Sequence, residues 1–109
     1  MIARTWRGAV RRDDRDAYAR YLEQTGVAEY AATAGNRGVW MLAQDEGSLT
    51  RFLMFTLWDS MDAVRGFAGD DPEVAVFYPE DDHYLVERDR HADHFEVLAH
   101  VPGPEPAAR

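Results

Sequence analysis

The sequence predicts an α+β domain in which helices cover one face of a sheet, with elements in the order β-α-β-β-α-β. The 109 residues are 46% hydrophobic and 29% charged, a composition typical of one globular domain. Apolar residues alternate along some segments and recur at helical spacing along others. We therefore place a single domain at residues 1–101 and a flexible, proline-rich tail at residues 102–109.

The first half of the chain predicts a strand, a helix and a hairpin. Residues 2–10 alternate between two faces, which is typical of a strand. Residues 13–26 predict helix one, because an aspartate can cap its start and a glycine can end it. Residues 39–44 and 50–58 flank a turn-rich "DEGS" segment, so we expect them to pair as a hairpin.

The second half predicts a helix, a short helical turn and a last strand. Residues 59–69 have helical spacing, with a capping residue at one end and a glycine at the other. Asp71 and Pro72 favour the start of a short helical turn within residues 70–78. Residues 93–101 predict the last strand. The complete order is that of a ferredoxin-like sandwich.

The strand at 50–58 is apolar on both faces, which indicates that each face is covered. Leu53, Phe55 and Leu57 share one face, and the other face also carries large side chains. Because the helices cover only one side of such a sheet, we expect a second copy of the chain to cover the other. The sequence thus predicts a homodimer with an interface well above about 1,000 Å².

Charge and composition argue against several functional classes. The formal net charge of −8, from 20 acidic and 12 basic side chains, disfavours nucleic-acid and anionic membrane partners. The absence of cysteine excludes disulfides, thiolate metal sites and a cysteine nucleophile. No apolar run approaches the roughly 18 residues of a membrane span. We expect a cytoplasmic protein without a metal or other cofactor.

Three segments carry a resemblance to a known family: "RFLMFTLWDSMDAVRGFAG", "MIARTWRG" and "TAGNRGVW". Over most of residues 1–100 the chain resembles the antibiotic-biosynthesis-monooxygenase-like family of dimeric α/β barrels. The resemblance implies a homodimer with its two sheets packed face to face. It also implies one pocket per subunit, between the sheet and the helices.

The family contains cofactor-free oxygenases of polyketide phenols and enzymes that bind and degrade heme. The heme degraders use an asparagine in strand one, a tryptophan in helix two and a histidine soon after it. In this chain the only asparagine is Asn36, the helix-two position is Phe67, and Phe77 or Tyr78 falls near the histidine position. The resemblance therefore implies that the chain lacks the heme-degrading residues.

Several aromatic residues and one arginine are candidates for substrate binding. We expect at least one of Trp6, Trp40 and Trp58 to line the pocket, since aromatic rings hold planar ligands; the alternative is that they fill the core or the dimer interface. Arg4 could hold an anionic substrate, and a surface salt bridge is the alternative. Phe67 and Phe77 are added as aromatic candidates. The predicted binding set is then Trp6, Trp40, Trp58, Phe67, Phe77 and Arg4.

The acidic segment "FYPEDDHY" is predicted to close one end of the pocket. Phe77 and Tyr78 would face the ligand, and the catalytic residues would be His83, as proton acceptor, and Tyr78, as hydrogen-bond donor. The alternative is a solvated acidic connector. His94 and Glu96 share one strand face but lack a third metal ligand, so we predict no metal site.

These features together favour a cofactor-independent monooxygenase acting on a small aromatic or polyketide-like substrate. The protein would remove a proton from a phenol-type substrate and exclude water, and the resulting anion would react with oxygen. The second alternative is a cyclase or isomerase that uses the same pocket, since such an enzyme also needs only an acid/base group and an apolar cavity. A non-catalytic ligand-binding or heme-binding module is the third alternative.

Overall fold

The computed structural model describes residues 1–104 and shows one antiparallel sheet with helices against one face. The strand order is β2-β3-β1, and β4 and β5 both pair with the free side of β1. This architecture confirms the predicted ferredoxin-like α+β class. The strands are β1 (Ile2–Arg11), β2 (Asn36–Glu46), β3 (Leu49–Trp58), β4 (Leu85–Arg88) and β5 (Asp93–Glu96).

Four α-helices connect the strands within the described residues: α1 (Arg15–Leu22), α2 (Ala28–Ala32), α3 (Met61–Ala68) and α4 (Asp81–Tyr84). The predicted end of helix one at Gly26 was wrong, because a π turn at Glu23–Val27 carries the chain on into α2. Leu22 and Tyr30, on either side of this turn, are both buried. Burial of two large side chains outweighs the roughly 1 kcal/mol that an internal glycine costs.

The last strand is shorter than predicted. It was placed at residues 93–101, but β5 ends at Glu96, which pairs with Ile2 at the very start of β1. One more hydrogen bond follows, from the Val97 N–H to the Met1 carbonyl at 3.0 Å. Residues 97–101 form no strand. The other half of that edge of β1 is taken by β4, which the sequence did not predict.

The predicted short helical turn within residues 70–78 forms, but only at the start of that range. A single turn forms, in which the Val74 N–H bonds the Asp71 carbonyl at 3.2 Å. The chain then runs extended, because the Ala75 N–H bonds the Arg90 carbonyl at 2.9 Å and Val74 bridges His91. This segment, residues 69–80, lies between α3 and α4. The predicted tail at 102–109 extends beyond residue 104, so residues 105–109 lie outside the described part.

The two faces of the sheet differ in burial. Along β3, every second residue from Thr50 to Trp58 is buried, and the residues between them are only half-buried. The core therefore lies between the sheet and the helices. The opposite face, which we call the open sheet face, carries large apolar side chains; Trp40, Leu42 and Phe95 on it are 45%, 45% and 54% exposed. With them lie Leu53, Phe55 and Leu57.

None of the helices within residues 1–104 is long and apolar enough to cross a membrane.

Candidate functional site

A small cavity of about 20 Å³ lies between the sheet and the helices. This is roughly the room that one buried water needs, so an aromatic ligand can enter only if lining side chains move. The 69–80 segment contributes part of the wall and has no helix or strand of its own. The lining residues are Arg4, Trp6, Tyr18, Leu22, Gly26, Tyr30, Met54, Val76, Tyr78 and Asp81.

Asp81, at the start of α4, is the acidic group of this cavity, and its side chain is only 3% exposed. The Tyr18 hydroxyl donates to Oδ1 at 3.0 Å, and the Tyr78 N–H donates to Oδ2 at 2.7 Å. Burial first, and the neighbouring carboxylate second, raise the pKa of Tyr18, so this tyrosine stays a neutral donor. Asp81 is therefore a buried carboxylate that lines the cavity and is fixed in position by two hydrogen bonds.

Tyr78 connects the cavity to the surface. Its hydroxyl donates to the carboxylate of Glu29, which is exposed. Burial, followed by the hydrogen bond to Glu29, raises the pKa of Tyr78, so the phenol is neutral at physiological pH. The pair forms a polar link between the cavity wall and solvent.

Arg4 enters the cavity from β1 and is 2% exposed, so the surface salt bridge considered as its alternative is not formed. Its Nη2 donates to the Pro72 carbonyl at 3.4 Å, and its guanidinium carbon lies 5.5 Å from the centre of the Phe67 ring. Burial lowers the pKa of Arg4, and neighbouring Tyr30 opposes this. Within residues 1–104 no carboxylate forms an ion pair with it.

The three tryptophans occupy three different environments. Trp6 lines the cavity and donates through Nε1 to the Asp89 carbonyl at 2.7 Å. Trp58 is fully buried in the core, where its Nε1 donates to the Thr56 hydroxyl at 2.8 Å. Trp40 lies on the open sheet face, edge-on to Phe55 at 5.5 Å. Only Trp6 is therefore placed to contact a ligand in the cavity.

Phe67 and Phe77 lie beside the cavity and support its walls. The Phe67 ring packs on Tyr30 with ring centres 4.3 Å apart, and Tyr30 lines the cavity. Phe77 packs edge-on against Trp6 at 6.1 Å, and the Arg88 guanidinium covers its ring at 4.8 Å. Neither ring lines the cavity itself, so a direct contact with substrate stays a prediction for both.

His83 is exposed on α4, with its ring against Tyr84 at 5.0 Å, and it does not line the cavity. Its role as catalytic base stays a prediction that the geometry does not favour. Of the segment 77–84, Tyr78 and Asp81 are the residues that reach the cavity. Sequence reasoning missed Asp81, because nothing in the run "EDD" distinguishes one carboxylate from its neighbours. Packing against Tyr18 selects it.

No group of three or more histidine, aspartate or glutamate side chains within residues 1–104 is arranged to hold a metal ion.

His94, on β5, is expected to make stability depend on pH. Burial and then Arg4 lower the pKa of His94, whereas Glu73 and Asp93 act in the opposite direction. Since the unfolded chain then takes up this proton at a higher pH than the folded protein does, stability should fall as the pH drops below about 6.5.

Urea unfolding at about pH 7.5 and about pH 5.5 measures this loss. We expect His94→Gln to lose less stability between the two pH values than the wild type. His91→Gln, at an exposed position nearby, serves as the matched control and should behave like the wild type. An equal loss in wild type and His94→Gln would contradict the prediction.

Comparison with known proteins shows the fold. No family model matches the chain, and no curated protein matches it. A structure from Bacillus cereus, provisionally named an antibiotic biosynthesis monooxygenase, aligns with a TM-score of 0.65 at 13% identity, covering 94% of this chain and 97% of the other. A protein from Nitrosomonas europaea with the same provisional name gives 0.63 at 13% identity, covering 91% and 100%.

A third similar structure is a mutant of MhuD with two manganese protoporphyrin IX molecules bound per active site. It aligns with a TM-score of 0.61 at 16% identity, and the match covers 94% of this chain and 100% of that one. The chain therefore has the ferredoxin-like α+β fold of structures named as antibiotic biosynthesis monooxygenases.

Proposed function

We propose that the chain is a small-molecule enzyme that oxygenates a phenol-type aromatic substrate without a cofactor. The observation that carries this proposal is the buried Asp81 carboxylate in a cavity whose wall also includes Trp6, Tyr18, Tyr30 and Tyr78. Aromatic walls suit a planar ring, and a buried carboxylate suits removal of its proton. The names of two structures that share the fold point to the same reaction class.

The proposed reaction begins with proton transfer from the substrate to Asp81, which leaves an electron-rich substrate anion. The anion supplies the electrons that reduce dioxygen, and a carbon–oxygen bond forms at an activated CH₂ group of the ring system. The peroxide formed in this way is protonated, its oxygen–oxygen bond breaks, and the second hydrogen of the carbon leaves as a proton. One oxygen atom stays as the quinone carbonyl and the other leaves as water.

The second part of the proposal is a homodimer built on the open sheet face. Trp40, Leu42 and Phe95 expose about half of their surface there, and Phe55 and Leu57 are half-buried in the single chain. Contiguous exposed apolar surface of this kind marks an interaction site in soluble proteins. A second copy, which presents the same apolar face, covers it through an isologous contact.

Oxygen uptake with anthrone as substrate tests the proposed reaction. We expect uptake above the spontaneous rate, one dioxygen consumed per quinone formed, and one labelled atom in the quinone when isotope-labelled dioxygen is used. Heat-denatured protein provides the baseline for spontaneous oxidation. Uptake no faster than that baseline would contradict the proposal, and a rearranged product without labelled oxygen would favour the cyclase or isomerase alternative.

The heme-binding alternative is favoured by one observation, the protoporphyrin bound to the related MhuD structure. The residues of this cavity do not fit it well. No histidine lines the cavity as described, and the hydroxyls of Tyr18 and Tyr78 already donate to carboxylates. A heme iron needs an axial ligand such as a histidine or a tyrosine. We therefore retain the cofactor-free reaction as the proposal.

A further inference from the structure

Two buried nitrogen atoms on neighbouring strands have no hydrogen-bond partner. They are Nε of Arg4 on β1 and Nε2 of His94 on β5. The two residues are register partners across these antiparallel strands, so their side chains are neighbours on the same face of the sheet. Because buried polar groups are paired in most proteins, two unpaired neighbours indicate a site for a further group.

The Nε–Nη2 edge of the Arg4 guanidinium indicates the chemical group that would bind between the two residues. Nε has no partner, and Nη2 on the same edge makes only a 3.4 Å contact with the Pro72 carbonyl. This Nε–Nη2 edge has the geometry that binds the two oxygens of a carboxylate. The cation is 2% exposed and has no carboxylate partner among residues 1–104, so its charge is not neutralised by the described part of the chain.

We infer that Arg4 and His94 bind a carboxylate group carried by the aromatic substrate. The location rests on the proposed function, since Arg4 also lines the cavity that holds Asp81. The guanidinium edge donates through Nε–H and Nη2–H to the two carboxylate oxygens, and the neutral imidazole donates through Nε2–H to one of them. Phe67, beneath the guanidinium, holds it in place. The substrate class is thus an aromatic acid rather than a neutral phenol.

Calorimetric titration with para-hydroxybenzoate and para-hydroxybenzamide tests this inference. The two probes have nearly the same shape and differ in the charge of one group. We expect the wild type to bind the acid at least about 10-fold more tightly than the amide, as a charge-assisted pair implies. Arg4→Met should remove this preference, and His94→Phe should reduce it. The comparison of the two probes on the wild type does not depend on whether any variant folds.

Arg20→Met is the matched control, because it removes one positive charge from an exposed position on α1. It should keep the full preference for the acid. Without a probe, Arg4→Met should be at least as stable as the wild type, since an unpaired buried charge destabilises the fold. Equal affinity for the two probes, binding of neither, or a preference that survives Arg4→Met would overturn the inference.

The outcome also separates this inference from the proposed reaction. Tight, Arg4-dependent binding of the acid, together with no oxygen uptake from anthrone or from an anthrone carboxylic acid, would support the carboxylate site and contradict the monooxygenase. Oxygen uptake without any preference for the acid would support the monooxygenase and contradict the carboxylate site.

Discussion

Phe55→Asp should convert the proposed homodimer to a monomer at micromolar concentration. Phe55 lies in β3 on the open sheet face, edge-on to Trp40. In the proposed dimer the new carboxylate would be buried among apolar side chains of the two copies. Burying an unpaired charge costs several kcal/mol, so the dissociation constant should rise on the order of 1,000-fold. Sedimentation analysis or light scattering measures the mass.

The matched control is Val74→Asp, which introduces the same charge in the 69–80 segment. Val74 is 45% exposed, comparable to Trp40, and lies outside the open sheet face. This variant should remain dimeric. Far-UV circular dichroism should show that both variants keep the fold, since Phe55 is only half-buried in the single chain. A wild type of monomeric mass would disprove the dimer, and a dimeric Phe55→Asp would place its interface elsewhere.

Asp81→Asn should lower turnover by about 100-fold or more while the protein stays folded. This is the usual scale for loss of a general base. Some stability should be lost as well, because an amide cannot accept from both the Tyr18 hydroxyl and the Tyr78 N–H as the carboxylate does. Initial rates of oxygen uptake measure turnover, and a melting curve for each variant gives the folded fraction at the assay temperature.

Asp82→Asn provides the matched control on the same helix. The Asp82 side chain is 85% exposed and pairs with Arg88 at 2.7 Å, so turnover should stay within about 2-fold of the wild type. His83→Ala distinguishes the two candidate bases. If it costs 100-fold and Asp81→Asn does not, the base is His83, as the sequence predicted, and our assignment to Asp81 is incorrect.

Local patterns in the sequence were sufficient for the fold class and most elements. Alternation along β1 and β3 and the glycine-containing turn between β2 and β3 depend on neighbours only a few residues apart. The same alternation assigned Phe55 and Leu57 to a face that the helices leave uncovered. The predicted ends of elements were wrong where contacts between residues far apart in the chain determine them. Burial of Leu22 and Tyr30 carries the helix past Gly26, and β5 ends where β1 begins.

The candidate site was only partly predictable. The sequence named Arg4, Trp6 and Tyr78, since an arginine or an aromatic residue in a strand or loop near a predicted pocket is recognisable by type. It could not choose among the carboxylates of "EDD" or separate the three tryptophans. The carboxylate is selected by its contact with Tyr18, which lies far away in the chain. The tryptophans differ in whether the fold places them at the cavity, in the core or on the open sheet face.

The sequence by itself therefore determined the class of fold, the acidic charge and the types of residue available for chemistry. The tertiary structure decided that Asp81 rather than His83 reaches the cavity, and that Arg4 is buried beside His94 with no acidic partner in the described chain. The physical reason is that secondary structure follows from periodicity over a few residues. Burial and pairing of a charged group follow instead from strand register and helix packing, which join residues far apart in the chain.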